Sequence, residues 1–333
     1  MKKIILWGLL LVFTMVGLGL AASAKASTIK WDLPVVWPAG NFHTVGCMEF
    51  AKLIDTRTKG QLKIIVHPGG ALGYKGPEML KVVRDGLAPI GEMLLTGLVG
   101  DEPFLGLTSM PFLMKSYDEA SRLLSISRPY YDKIAARWKQ KFLYTSPWSP
   151  SGIYTKKPVA SMAYFKGLKT RGYDKNSAEF TKLVGGVPIV LPWGEVYAAL
   201  AAGVIDSVIT STISGVDGKL WEVTPHFQRL EFAFPLDAVT VNLDAWKKLP
   251  DDLKKIVLDT AREMESKQWV VSKETDKKCE ERLLKEGVKI IHPTPEMVAK
   301  YGEIGKTIWA DWVKVAGPDA EATLKEFLAA VRR

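Results

Sequence analysis

The most constraining feature of the sequence is the stretch of residues 166–206, in which short apolar runs alternate with helical patterns. A short run of alternating apolar and polar residues, Leu168, Lys169 and Thr170, leads to Arg171, and a helical pattern separates it from an apolar run over residues 187–191. The next helical pattern ends at Gly203, a residue suited to the left-handed turn that stops helices. Strands that alternate with helices build a parallel sheet with helices on its faces. The stretch therefore predicts an α/β fold.

Arg171 stands at the carboxyl end of a predicted strand, and loop-forming residues follow it. Ligands of α/β sheets bind in the crevice outside the carboxyl ends of the strands, where a guanidinium can grip a carboxylate through two parallel hydrogen bonds. Trp193 and the residues beyond Asp206 stand near the ends of the next two strands, so we expect these positions to converge on one cleft. The alternative is an ordinary surface arginine, since most arginines are exposed.

Four segments resemble the solute-binding subunits of tripartite ATP-independent periplasmic (TRAP) transporters, of the dicarboxylate-binding-subunit type, and the resemblance extends over nearly the whole chain. They read FAKLIDTRTKGQLKIIVHPGGALG at residues 50–73, SMPFLM at 109–114, GLKTR at 167–171 and EVYAALAAGVID at 195–206. The resemblance implies that Arg171, the last residue of GLKTR, clamps the carboxylate of an organic acid. It also implies delivery of that acid to a small and a large membrane permease subunit.

Two parts of the chain contain the same supersecondary unit. A glutamate opens a helix at Glu78 and at Glu195, a glycine follows eight residues later at Gly86 and Gly203, and an apolar strand comes next. One such unit in each of two lobes predicts a bilobal periplasmic binding protein fold, with two α/β domains and a site between them.

Crossing strands and a long domain-spanning helix are expected to join the two lobes. The helical pattern over residues 250–286 would exceed roughly 50 Å, which is longer than one small lobe. We assign residues to lobes as follows: 27–148 and 237–276 to lobe I, 149–236 and 277–333 to lobe II.

The first 26 residues have the three parts of a secretory signal peptide. Lys2 and Lys3 precede an apolar run over residues 4–20, and small residues end at Ala26. We predict cleavage after Ala26 and a soluble, monomeric protein in the periplasm, with an uncleaved membrane anchor as the alternative. Cleavage would remove three lysines and no acids, which lowers the net charge of +9 by three and leaves a mild preference for anions.

Six residues are candidates for contact with the ligand: Arg171, Trp193, Trp148, Thr210, Glu92 and Asn41. The two indole rings would supply flat apolar walls and an N–H donor each, although either could be ordinary core packing. Thr210 would supply a hydroxyl, or could simply be a strand former. Glu92 and Asn41 are expected at the cleft ends of lobe I elements, where Glu92 could pair with an amino or hydroxyl group.

The ligand is predicted to be a monocarboxylate with an aromatic or apolar body. Many relatives carry a second arginine near the turn at residues 149–155, and this sequence has none there. A second anionic group on the ligand is therefore disfavoured unless Lys156 or Lys157 reaches inward.

Other functional classes find less support in the sequence. It has no G-x-S-x-G or H-E-x-x-H motif, so we predict no enzyme, although chain order does not exclude a scattered triad. Its lysines are interspersed with acids, which disfavours nucleic-acid binding. No cofactor or structural metal is expected, while pairing of Cys47 with Cys279 and a metal that accompanies the ligand stay open. An extracytoplasmic sensor that signals to a membrane receptor is the alternative function.

Overall fold

The computed structural model describes residues 28–332. The strands are β1 (Ile29–Pro34), β2 (Leu62–His67), β3 (Ile90–Leu94), β4 (Gln140–Pro147), β5 (Ser151–Thr155), β6 (Lys169–Gly172), β7 (Val187–Val190), β8 (Ser207–Ser211), β9 (His226–Gln228), β10 (Leu236–Asn242) and β11 (Lys289–Ile291). The helices are α1 (Phe42–Arg57), α2 (Met79–Arg84), α3 (Tyr117–Arg137), α4 (Lys175–Leu183), α5 (Val196–Ala201), α6 (Thr212–Asp217), α7 (Leu243–Lys247), α8 (Asp251–Lys285), α9 (Pro295–Ala316) and α10 (Pro318–Ala330).

Lobe I contains a three-stranded antiparallel sheet in the order β3-β10-β4 and a parallel pair formed by β1 and β2. In β2 the side chains of Leu62 and Ile64 are buried, because one face of the strand packs on α1. Helix α1 begins after Asn41, whose side chain accepts a hydrogen bond from the backbone N–H of His43. The apolar side of α1, with Phe50 at its centre, belongs to the core of this lobe.

Lobe II contains a six-stranded sheet in the order β11-β9-β5-β8-β6-β7. Strand β6 runs parallel to both β7 and β8, as the alternation of strands and helices predicts. Strand β5, which precedes the stretch of residues 166–206, is antiparallel to β8 and β9. Strand β5 enters from lobe I without a crossover helix, so its direction does not follow the rule for β-α-β units.

Two short segments connect the lobes. Strand β4 ends in the lobe I sheet, and β5 begins four residues later in the lobe II sheet, so residues 148–150 make the crossing. The sequence pattern predicts one strand over residues 141–149 that itself crosses between the lobes, and this prediction is wrong. Residues 229–235 make the return crossing. The apolar pattern predicts a strand over residues 227–234, but β9 ends at Gln228. The two crossing segments are hydrogen-bonded to each other: the backbone N–H of Trp148 donates to the Pro235 carbonyl at 2.8 Å.

Helix α8 has 35 residues and packs against α1 and β4 of lobe I and against α6 of lobe II. At about 1.5 Å per residue it is about 50 Å long, and the expected domain-spanning helix is confirmed. Both copies of the repeated unit also form: α2 and α5 each follow a single 3₁₀ turn. Gly86 and Gly203 both lie at φ +71, a conformation that glycine reaches without strain.

Two local predictions from the sequence pattern are wrong. The pattern predicts two helices over residues 116–127 and 129–140, whereas α3 is one helix that contains Pro129. Thr212 begins α6 and does not extend the preceding strand. The sequence leaves the pairing of Cys47 with Cys279 open, and in the structure both residues are buried and free.

Over residues 28–332, no helix combines the length and apolar character needed to cross a membrane. The predicted signal peptide at residues 1–26 lies outside the described part of the chain. The lobe boundaries at residues 148, 236 and 276 stay a prediction.

Candidate ligand-binding cleft

A cavity of about 640 Å³ lies between the lobes. Lobe I contributes Trp37, Trp148 and the glycine-rich loop that contains Tyr74 and Lys75. Lobe II contributes the ends of β6 and β8 and the segment of residues 190–194. Among the described residues that line this cavity two are cationic, Arg171 and Lys75, and none is acidic.

Arg171 is the buried cation of this cavity. It lies near the end of β6, and its side chain is 5% exposed. The Nε and Nη2 atoms donate to the Leu191 carbonyl at 3.1 and 3.0 Å, which fixes the plane of the guanidinium. Burial lowers the pKa of Arg171 to about 10, so the group stays charged at neutral pH. In the described part of the chain no carboxylate forms an ion pair with Arg171, and the charge of Asp174 raises its pKa less than burial lowers it.

Two tryptophans from lobe I form one wall of the cavity. Trp37 and Trp148 contact each other edge to face, with ring centroids 4.9 Å apart. The indole N–H of Trp148 donates to Asp237 Oδ1 at 3.0 Å, and that of Trp37 donates to Asp237 Oδ2 at 2.7 Å and Glu92 Oε1 at 2.9 Å. The expectation that Trp148 offers its N–H to a ligand is therefore wrong, because a buried carboxylate behind the ring already accepts it.

The opposite wall combines an aromatic ring with hydroxyl groups. Trp193 lines the cavity, and its ring centroid is 6.0 Å from the guanidinium carbon of Arg171. Thr210 lines the cavity as expected, together with Ser211 and Ser214. Tyr173 also lines it, and its buried hydroxyl has no hydrogen-bond partner among the described residues. This wall can therefore offer several hydroxyl groups to a polar part of a ligand.

Four of the six predicted site residues, Arg171, Trp193, Trp148 and Thr210, thus lie in the cavity wall. Glu92 does not, because it is 2% exposed and lies behind Trp37. Asn41 does not either: its amide donates to Asp217 Oδ2 at 2.6 Å and so connects α1 with α6 of the other lobe. Contact of the four wall residues with a ligand stays a prediction.

Sequence reasoning missed several residues of the cavity wall. Trp37 lies three residues beyond the end of β1 and Tyr173 lies one residue beyond the end of β6, so closeness to a strand end was the available signal. Lys75 lines the cavity, whereas Lys156 and Lys157 are not among the lining residues. The four histidines are scattered in sequence, and yet His43 meets Glu92 and Asp237 in the fold.

Two α/β lobes that enclose a cationic cavity define a solute-binding protein of the periplasmic type. Residues 35–315 match the model of the family described as bacterial extracellular solute-binding protein, family 7, and the chain belongs to this family. Members are periplasmic receptors of TRAP transport systems, so the predicted family, bilobal fold and lack of enzymatic activity are confirmed.

Solved structures with the same fold include DctP7 and DctP6 of Bordetella pertussis, both described as extracytoplasmic solute receptors binding pyroglutamic acid. DctP7 is 31% identical with a TM-score of 0.88, and the match covers 90% of this chain and 99% of that one. DctP6 is 34% identical with a TM-score of 0.87 and the same coverage. A marine metagenome TRAP protein in complex with pyroglutamate is 32% identical, with a TM-score of 0.87 and coverage of 90% and 98%.

Proposed function

We propose that this protein captures an organic monocarboxylate in the cavity between its lobes, with Arg171 as the anchor of the carboxylate. The observation that carries the proposal is a buried guanidinium in a cavity without acidic lining residues. A buried charge is costly unless an opposite charge or hydrogen bonds compensate it. The Leu191 carbonyl accepts from one edge of the guanidinium only, so the remaining N–H donors suit the carboxylate of a bound acid.

A small ring-containing acid is the proposed ligand class, and pyroglutamate is its first member to test. Three relatives at 31–34% identity bind pyroglutamic acid or pyroglutamate, and they share the fold over 90% of this chain. The cavity suits such a ligand, since indoles supply flat apolar contact and the hydroxyl groups of the opposite wall can bond a ring amide. An aromatic monocarboxylate suits the three indoles that line the cavity and is the second ligand to test.

We further propose that the loaded protein delivers its acid to the small and large membrane subunits of a TRAP permease. Membership of the family supports this step, because its members are receptors of such systems. The protein would act in the periplasm as a monomer, after removal of the signal peptide.

Calorimetric titration with pyroglutamate tests the anchor. We expect Arg171→Ala to lower the affinity at least about tenfold, because removal of one partner of a buried charge-assisted pair costs a few kcal/mol. Arg171→Lys keeps the charge but loses the planar fork, and we expect a smaller loss.

Arg137→Ala is the matched control, since Arg137 pairs with Glu102 at the surface and does not line the cavity. An Arg171→Ala protein that binds as tightly as the control would refute the anchor. Thermal-shift measurements with aromatic, aliphatic and sugar acids define the ligand class. Stabilisation by sugar acids alone would refute a ring-containing monocarboxylate.

A further inference from the structure

Behind the tryptophan wall of the cavity, three ionisable side chains meet in the core of lobe I. They are His43 of α1, Glu92 of β3 and Asp237 of β10, which are 3%, 2% and 1% exposed. One ligating atom from each lies within 4.8 Å of the other two, and His43 Nε2 is 3.7 Å from Asp237 Oδ2. We call these three residues the buried cluster.

The buried cluster is bonded to the cavity wall through both tryptophans of lobe I. Asp237 accepts the indole N–H of Trp148 with one oxygen and that of Trp37 with the other. Glu92 accepts the Trp37 N–H as well. The two indoles therefore take their orientation from the carboxyl pair, although neither carboxyl group reaches the cavity itself.

The charge of the carboxyl pair is the critical property of the buried cluster. Two ionised carboxylates this close in an apolar core repel each other, and burial together with Asp237 raises the pKa of Glu92 well above its usual range. Burial also lowers the pKa of His43 to about 4, so the imidazole is neutral at neutral pH and does not offset the negative charge. A proton held between the two carboxyl groups would relieve this repulsion.

No other charged group of the described chain neutralises this pair. Cys47 of α1 and Tyr144 of β4 face the same small void, and burial raises the pKa of each well above its usual range, so both are neutral. Helix α8 contributes only the uncharged Gln268. The void of about 10 Å³ has room for about one water molecule, and the unpartnered atoms that bound it include His43 Nε2 and Glu92 Oε2.

We propose that Glu92 and Asp237 share one proton behind the wall, and that this proton holds Trp37 and Trp148 in place for an anionic ligand. Loss of the proton places a second negative charge behind the wall and disrupts the carboxyl pair, so binding of the anion weakens. The ligand effect rests on the proposed function, since it requires an organic acid in the cavity. Glu92 and Asp237 are positioning residues, because they act through the two indoles.

The pH dependence of pyroglutamate affinity tests the shared proton. We expect the dissociation constant of the wild-type protein to rise at least about threefold when the pH is raised from about 6 to about 9, because loss of the shared proton adds a second negative charge behind the wall. The upper limit stays below the pKa of Arg171. In Glu92→Gln the amide keeps the shape of the carboxylic acid but has no proton to lose, so we expect an affinity that is constant across the range.

Glu102→Gln is the matched control, because Glu102 also accepts an indole N–H, from Trp138 at 2.9 Å, away from the cavity. It should retain the pH dependence of the wild-type protein. A wild-type affinity that is flat with pH, or a Glu92→Gln affinity that falls like the wild type, overturns the proposal.

A second measurement needs no ligand and separates the two proposals. The tryptophan fluorescence of the ligand-free protein should change over the same pH range in the wild type and in Glu102→Gln, and not in Glu92→Gln. If pyroglutamate does not bind while this difference is present, the proposed ligand fails and the shared proton stands. If binding depends on Arg171 and the difference is absent, the shared proton fails alone.

Metal analysis of the purified protein is the last part of the test. A histidine with two carboxylates is also a donor set for a divalent cation. About one metal ion per chain, lost in Glu92→Gln and retained in Glu102→Gln, would overturn the shared proton. A metal content near zero in all three proteins supports it.

Discussion

A single methyl group at Gly215 would collide with the core of lobe II. A Cβ atom at this position of α6 would lie 1.9 Å from the hydroxyl oxygen of Tyr154 and 2.4 Å from the ring carbon that carries it. Tyr154 is fully buried, and its hydroxyl donates to the Ser211 carbonyl at 3.3 Å. Gly215 therefore allows α6 to pack directly against Tyr154 of β5.

We expect Gly215→Ala to lower the free energy of unfolding by roughly 1–3 kcal/mol, the usual cost of overpacking a core. Urea denaturation measures this loss. Gly302→Ala is the control, because Gly302 lies in α9 and a Cβ there has no neighbour within 4 Å. The control should gain up to about 1 kcal/mol, since alanine favours the helix more than glycine. Equal stability of both variants would contradict the packing argument.

Arg171 and Trp37 show which cavity residues the sequence predicts and which it does not. Arg171 could be placed there because a strand end and a nearby loop are local features of the sequence. The role of Trp37 could not be predicted, since its acceptors Glu92 and Asp237 are 55 and 200 positions away. Glu92 was expected to face the ligand for the same reason: nothing local indicates that its carboxyl group meets another one in the core.

Among the elements, α3 contains a proline in its interior. Pro129 lacks the N–H that would bond the carbonyl four residues earlier, and its ring crowds that carbonyl. The helix continues because both Pro129 and Ser125 are exposed, so water can bond the unpaired carbonyl. The buried side chains of Leu123, Leu124 and Tyr131 hold both halves against the same core.

We expect Pro129→Ala to raise the free energy of unfolding by at least about 1 kcal/mol, because it restores the missing hydrogen bond and relieves the crowding. Pro318→Ala provides the comparison. Pro318 is the first residue of α10, where proline suits the helix, so its replacement should not stabilise the protein. Chemical denaturation of both variants measures the free energy of unfolding. A Pro129→Ala protein no more stable than wild type would contradict the predicted cost of Pro129.

The elements also show why some boundaries could be predicted and others could not. Helix α8 was expected over residues 250–286 and extends from Asp251 to Lys285, because its length and the glycine beyond its end are strong local signals. The apolar residues after β9 were read as strand, yet they lie in a crossing segment. An apolar pattern indicates burial, and Phe232 and Phe234 are buried although residues 229–235 form no strand.

For the whole molecule, His43 should make stability depend on pH. The unfolded chain protonates this histidine as the pH falls through about 6.5, whereas burial delays protonation of the folded protein to about pH 4. The folded pKa lies below the unfolded one, so the neutral imidazole stabilises the fold fully above about pH 6.5. This contribution is lost progressively between about pH 6.5 and about pH 4.

We expect His43→Gln to lose less stability than wild type on acidification, by about 2 kcal/mol between about pH 7 and about pH 5. Urea unfolding at the two pH values measures the difference. His67→Gln is the control, because His67 pairs with Asp32 at the protein surface and should keep the wild-type response. An equal response of His43→Gln and wild type would show that the imidazole is not protected from protons.

The two-lobe architecture was predictable as a whole because the same unit occurs twice and a long helix follows. The direction of β5 was not, since it depends on how the chain enters lobe II from lobe I. Sequence thus predicts elements and their repetition, while long-range pairing decides strand direction and the contents of the core.

The two free cysteines have a practical consequence for measuring how the lobes move. Cys47 and Cys279 are both buried, and burial raises the pKa of the Cys279 thiol to about 12 and that of Cys47 well above its usual range. The thiolate is the form that attacks a maleimide, so both native cysteines react slowly with maleimide dyes. Pairs of cysteines engineered at the surface of each lobe can therefore be labelled selectively, and energy transfer between the dyes then follows closure in the otherwise native chain.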